Sequence, residues 1–185
     1  MRFVKFTLLG LVGITLAFLS LGFFHTNFQY ENQVEIKASV EDSYATFIND
    51  SLRSEWLLGY IGNETLSGVK LRPGHRRLLK FEQNGQTFEM IEELKEIKEN
   101  EKLVFDMETE LLTGSIEIYF DGNGEKTTLK VYSTMTGSNI FYRSMFYLLK
   151  SGLQKQSQVN YESFKLKVES KLSEVRHQHS GVNLE

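Results

Sequence analysis

The stretch Ile140 to Leu172, IFYRSMFYLLKSGLQKQSQVNYESFKLKVESKL, decides how this chain folds. Ile140, Phe141, Met145, Phe146, Leu148, Leu149, Leu153, Val159, Phe164, Val168 and Leu172 recur at three- and four-residue steps, with Lys150, Lys155, Lys165, Lys167 and Lys171 mostly between them. That is the period of an amphipathic α-helix with one broad buried face. At 1.5 Å per residue the helix is roughly 50 Å long, longer than one crossing of a small core requires. The segments before it, from Phe28 to Thr136, read mostly as strands. A terminal helix and a preceding meander bury their apolar faces on each other, so the pattern predicts a curved sheet gripping the helix. The half from Ile140 to Leu153 is the more aromatic and Met-rich, and is expected to face any ligand. The half from Val159 to Leu172 is expected to close the core. Gly152, near the division, is the expected point of a bend or of close approach to the sheet.

Working backwards from the helix, Gly137-Ser138-Asn139 supplies its cap, Ser138 or Asn139. Leu129, Val131, Ser133 and Met135 alternate as the inward set of a last strand, and Ile116, Ile118 and Phe120 as that of the one before it. Asp121-Gly122-Asn123-Gly124 joins the two. Leu103, Phe105, Met107, Thr109 and Leu111 mark a further strand. Arg76 to Gln83 and Gln86 to Ile97 flank Asn84-Gly85, the strongest short-range hairpin signal in the chain. The second arm is ambiguous, because Ile91, Leu94 and Ile97 also suit a helix; its hairpin partner argues for a strand. Gly59, Gly62 and Gly68 punctuate a loop or short strand, and Pro73-Gly74 is a turn. Two short helices precede these, one after the approximate capping box Ser39-Val40-Glu41-Asp42 and one over Ser51 to Leu58. Phe28 to Ala38 alternates as a first strand.

The N-terminal end differs in kind. Phe6 to Phe24 is 19 residues without a charge, long enough to span a bilayer as a helix. Arg2 and Lys5 precede it, which predicts a cytoplasmic N-terminus and an exported remainder. The small-residue sites Ser20-x-Gly22 and Ala17-x-Leu19 are poor cleavage signals. Residues 1–27 are therefore expected to be an uncleaved anchor, making the protein single-pass with its C-terminal domain outside the cytoplasm. Cleavage would instead make it secreted or periplasmic. The domain is expected over 28–175, with a polar tail over 176–185.

Composition narrows the function. The net charge is −3, and without Arg2 and Lys5 it is −5 (−3 minus 2), with no basic patch. No nucleic-acid partner is expected. Cysteine is absent, which excludes disulfides, thiolate chemistry and Cys-ligated metals.

The order of strand, two short helices, about six antiparallel strands and a long helix resembles the helix-grip fold of the START-like, or SRPBCC, superfamily. Val34 to Asp42 resembles its opening strand and first helix start. Trp56 stands where members commonly carry an aromatic residue. Glu64 to Gly68 with Pro73-Gly74, and then the hairpin holding Glu89 and Glu92, resemble the next elements. The likeness covers about Tyr30 to Leu172 and predicts an α+β helix-grip fold of about six or seven curved antiparallel strands. It also implies a cavity between sheet and helix. The expected lining is Trp56, Leu79, Phe81, Phe88, Met90, Phe105, Met107, Ile118, Phe120, Val131, Ser133, Met135, Met145, Leu149 and Leu153, with Thr109 and Ile116 beside them.

The first reading that follows is a binding domain for a hydrophobic small molecule or lipid, with no cofactor, metal or catalytic residue. The second is an enzyme of polyketide cyclase/dehydrase type, using a pocket Glu or Tyr; Glu89, Glu92 or Tyr142 inside the cavity would favour it. The third is a protein-interaction module. Glu89, Glu92 and Glu93 read most simply as an exposed strand face, and His75-Arg76-Arg77 as a solvated turn and strand start. His177 and His179 have no partner ligands near them in sequence, so no metal site is expected.

Overall fold

The computed structural model describes residues 2–181. Helix α1 (Arg2–Phe24) leads into β1 (Phe28–Ile36), α2 (Val40–Phe47), α3 (Asp50–Arg53) and β2 (Tyr60–Ser67). Strands β3 (Arg76–Gln83), β4 (Gln86–Lys98), β5 (Lys102–Glu108), β6 (Leu112–Gly122) and β7 (Thr127–Gly137) follow, then α4 (Ile140–Gly181). The strands form one seven-stranded sheet in the order β1-β7-β6-β5-β4-β3-β2, antiparallel throughout.

Local chemistry sets these boundaries. Ser39 caps α2: its Oγ accepts from Asp42 N at 3.0 Å and donates to Asp42 Oδ2 at 2.8 Å. Asn139 caps α4, its Oδ1 accepting from Tyr142 N at 3.1 Å. Asn84 and Gly85 have φ of 53° and 74°, the two left-handed positions a tight hairpin of the I′ kind requires. Strand β4 carries a bulge between Leu94 and Glu96. The extra residue turns the inward step from two to three, so Leu94 and Ile97 share a face within a strand. That is why this segment carries a false helical period.

The core lies between the concave face of the sheet and α4. Ile36, Leu103, Leu129, Val131, Phe164 and Val168 are fully buried there, with α2 contributing Tyr44 and Phe47. Helix α4 runs 42 residues, roughly 63 Å, and continues as helix to Gly181, through much of the stretch expected as a tail. Residues 182–185, and the side chains of His177 and His179, lie outside those described. The inward stripe of its second half is Tyr161, Phe164 and Val168. Val159, expected in that stripe, is exposed. Gly152 makes no close approach, since a Cβ there would meet nothing within 4 Å.

Helix α4 lies along the sheet edge formed by β1. Gln154 Nε2 donates to Glu31 O at 2.8 Å, and Gln158 Nε2 to Gln33 O at 3.0 Å. Further on, Glu169 Oε1 accepts from Lys37 N at 2.9 Å. Asn32 completes the seam, its Nδ2 donating to Gln154 O at 3.0 Å and Gln158 Oε1 at 2.9 Å.

The first turns of α4 meet α1, which displaces the expectation that they face a ligand. The Phe18 and Phe141 rings lie 5.4 Å apart, His25 stacks on Tyr147 at 4.0 Å, and Gly22 N donates to Ser144 Oγ at 2.9 Å. A Cβ at Gly22 would collide with the Ile140 carbonyl oxygen. Gly22→Val is accordingly expected to unseat α1. Because the chain has no native cysteine, a Phe18→Cys/Phe141→Cys pair reads this out: cross-linking is expected with Gly22 and is lost with valine. Residues Phe3–Phe24 are long and apolar enough to cross a membrane, and the same properties suit a signal sequence.

Candidate functional site

Between sheet and α4 lies a cavity of about 230 Å³. Its wall follows strand alternation. Leu79 and Phe81 come from β3, Phe88, Met90 and Glu92 from β4, Phe105 and Met107 from β5, Ile116 and Ile118 from β6, and Met135 from β7. Phe47, Arg53, Trp56, Leu57 and Leu58 enter from the α2–β2 region and Tyr30 from β1. Helix α4 contributes Gln156, Ser157, Asn160 and Tyr161. The mouth is where wall residues reach solvent, at Leu58, Phe88 and Gln156.

The expected lining divides. Trp56, Leu79, Phe81, Phe88, Met90, Phe105, Met107, Ile118 and Met135 stand on the wall, with Ile116. Phe120 and Val131 belong to the solid core: α2 covers that end of the sheet, and Tyr44 and Phe47 pack edge-on against Phe120 at 5.4 and 5.7 Å. Ser133 is buried on β7 between Tyr30 and Ile116 in register, outside the wall. Met145 and Leu153 pack with Phe28 and Phe146 in a cluster that adjoins the wall through Met107, Ile116 and Met135, and do not line the cavity themselves. Leu149 is 51% exposed. Thr109 sits in the β5–β6 turn, accepting from Leu112 N at 3.1 Å. The reason is shared by the helical residues: α1 and β1 occupy the start of α4, so the helix meets the cavity only from Gln156 onward.

The larger correction is electrostatic. Alternation places Arg77 on the same face of β3 as Leu79 and Phe81, and Glu92 on the same face of β4 as Met90 and Leu94. The hairpin register sets the two directly opposite each other. Both are buried, as are His75 and Arg53; these groups are neither an exposed face nor a solvated turn. Arg77 Nε donates to Glu92 Oε1 at 2.6 Å, with Arg77 Nη2 beside the same oxygen, and Arg77 Nη1 donates to Asp50 Oδ1 at 2.6 Å. Lys70 Nζ lies 2.7 Å from Asp50 Oδ2. Arg53 Nη1 reaches Glu92 Oε2 at 3.5 Å. Glu89 is exposed and Glu93 half-buried at the surface, and Tyr142 belongs to the Phe146 cluster. Of the three acid–base candidates, only Glu92 is on the cavity wall.

Arg53 and Glu92 also wall a second pocket of about 20 Å³, shared with Lys70, Leu71, His75 and Arg77, room for roughly one water. Burial, then the Arg77 charge, holds the His75 imidazole below its ordinary 6.5. The folded state therefore binds fewer protons at His75 than the unfolded chain does. Its contribution is complete above pH 6.5 and is lost as pH falls from there through the depressed folded value. A His75→Gln variant is expected to show a flatter loss of stability between neutral and mildly acid pH, measured by urea unfolding. Among the described residues no cluster of His, Asp and Glu is arranged to hold a metal ion.

The sequence profile of the family described as activator of Hsp90 ATPase homolog 1-like protein matches residues 37–156, well over half of the chain. No curated protein matches the sequence. The fold aligns with the crystal structure of Ara h 8.0201 at a TM-score of 0.64 and 13% identity, covering 78% of this chain and 99% of that one. It aligns with the Zhui aromatase/cyclase of a Streptomyces species at 0.65 and 10%, covering 79% and 96%. For a protein of Thermus thermophilus the values are 0.63 and 15%, covering 78% and 99%. At these identities the structures establish the shared helix-grip fold. The chain belongs to the activator of Hsp90 ATPase homolog 1-like family, within the START-like SRPBCC superfamily.

Proposed function

We propose that residues 28–175 form a START-like domain that binds a hydrophobic small molecule or lipid between sheet and α4, held at a membrane by α1. The observation that carries this reading is the open cavity with its aromatic, aliphatic and methionine wall. A site that is mostly apolar with a few placed polar groups is what small-ligand binding requires, and methionines adapt to varied shapes. At about 230 Å³ the cavity falls just below the roughly 300–1,000 Å³ of drug-sized sites. It suits a small ring system or a single acyl chain. Packing of Gly22 against Ser144 supports retention of α1, and Arg2 and Lys5 favour a domain outside the cytoplasm.

The test is uptake. Delipidated full-length protein is titrated with a fluorescent acyl probe, and freshly purified protein is extracted for mass spectrometry. Saturable uptake and a co-purified hydrophobe are expected. Met107→Trp, which fills the cavity, is expected to abolish uptake while the fold persists. No uptake together with no co-purified hydrophobe refutes the reading.

Glu92 gives the cyclase/dehydrase reading its one support, as a carboxylate in the cavity wall. Both its oxygens are engaged by guanidinium groups, however. A carboxylate so engaged is turned toward its guanidinium partners rather than toward a reacting group. A protein-interaction module would favour a filled groove, and the open cavity supports a small ligand instead.

A further inference from the structure

We infer that the ligand carries a carboxylate, bound at Arg53 and Trp56 on the inner wall of the cavity. This rests on the hydrophobic-ligand reading and names the ligand's polar end. Arg53 and Trp56 are 3% and 4% exposed, and both line the cavity. Arg53 Nε and Trp56 Nε1 are buried N–H donors that meet no acceptor among the described residues. Buried donors are rarely left unpaired, because each then keeps its full desolvation cost. Two on one cavity wall, three residues apart in sequence, point to a shared acceptor.

Charge says which acceptor. Arg53, Lys70 and Arg77 face Asp50 and Glu92, three cations against two carboxylates. Arg77 and Lys70 hold their partners closely, at 2.6 and 2.7 Å on Asp50, whereas the one ion pair of Arg53 among the described residues is the 3.5 Å contact with Glu92 Oε2, its guanidinium also lying 6.0 Å over the Tyr60 ring. The uncompensated positive charge therefore rests on the cation that borders the cavity. A carboxylate supplies that missing charge and two acceptor oxygens, and a planar guanidinium matches it well. Tyr161, also on the wall, adds a third donor. Burial, then the neighbouring Tyr30 and Glu92, raises its pKa, so the hydroxyl keeps its proton. Both orphan nitrogens are covered, and the loose hold of Glu92 on Arg53 lets that side chain turn toward a ligand. The rest of the wall, Phe81, Met90 and Met107 among it, takes an apolar body. The ligand class is a small amphiphilic acid.

The sole tryptophan, Trp56, stands on the wall and reports occupancy by its own fluorescence. Full-length protein is titrated with dodecanoic acid, dodecanol and dodecylamine at neutral pH. The acid is expected to bind at least about tenfold more tightly than the alcohol, and the amine most weakly. Arg53→Met keeps the Arg77–Glu92 pair, and is expected to erase the preference for the acid without weakening the alcohol. Trp56→Phe, followed by calorimetry, keeps the ring and is expected to reduce the preference. Equal binding of acid and alcohol, or a preference that survives in Arg53→Met, overturns this inference and leaves the hydrophobic-ligand reading standing. Failure of all three to bind overturns this inference, and the hydrophobic-ligand reading falls with it when the extract also holds no co-purified hydrophobe.

Discussion

Replacing Glu92 by alanine is expected to cost about 3–5 kcal/mol of stability, as does breaking other buried ion pairs from one side. Glu92 is the bridge of the internal charge network. It takes Arg77 on one oxygen and Arg53 on the other. Without it Arg77 retains Asp50, but Arg53 keeps no carboxylate within 4.0 Å among the described residues and stays buried. Glu92→Gln preserves the shape and one acceptor, and is expected to lose less. The informative partner is the triple change Arg53→Met, Arg77→Met, Glu92→Met. Removing all three charges together should recover most of the loss, because the desolvation cost goes with the pair. Urea unfolding in detergent, followed by Trp56 emission, measures all of these. A Glu92→Ala protein within about 0.5 kcal/mol of the parent, the range of ordinary surface changes, would mean that the network is solvated.

Phe164→Ala is the second large effect, with an expected loss of about 3–5 kcal/mol. Its side chain is 0% exposed and stands edge-on to Phe47 at 5.4 Å and Trp56 at 5.1 Å. Truncation removes buried surface, leaves a cavity and breaks two favourable aromatic pairs. Trp56 emission should also move to longer wavelength as water reaches it. Leu149→Ala, on the same helix but half exposed, is expected to change stability by less than about 0.5 kcal/mol. Equal losses at the two positions would overturn this account of which part of α4 closes the core.

The architecture is written into the chain at the level of period and punctuation. Asn84-Gly85 sets a hairpin register, and the helical period after Asn139 runs unbroken. The cavity wall is legible on the strands because alternation is local: once Leu79 and Phe81 point inward, so do Phe88 and Met90 across the turn. The same rule already places Arg77 and Glu92 inside and opposite each other. It is their charge that disguises them, since charge ordinarily marks an outward face and only the register says otherwise. The α4 contribution is less legible. A helical stripe gives direction but not the point at which the helix crosses the sheet. Here the first turns are taken by α1, so a polar set, Gln156, Ser157 and Asn160 with Tyr161, meets the cavity where Met145 and Leu149 would be expected on hydrophobicity. Phe120 and Val131 alternate correctly, but both belong to the filled core, with α2 packed on Phe120.

The glutamines along β1 have a consequence for copies of this protein that meet one another. An outermost strand normally offers a row of bare carbonyls and amides to any neighbouring chain, and such a row invites shared sheets and fibrils. On this strand Glu31 and Gln33 spend their carbonyls on Gln154 and Gln158, and just beyond it Lys37 spends its amide on Glu169. At the opposite margin β2 is interrupted twice, between Tyr60 and Gly62 and between Thr65 and Ser67. Exchanging Gln154 and Gln158 for leucine would reopen the first margin, turning a seam within one chain into a template for a second molecule.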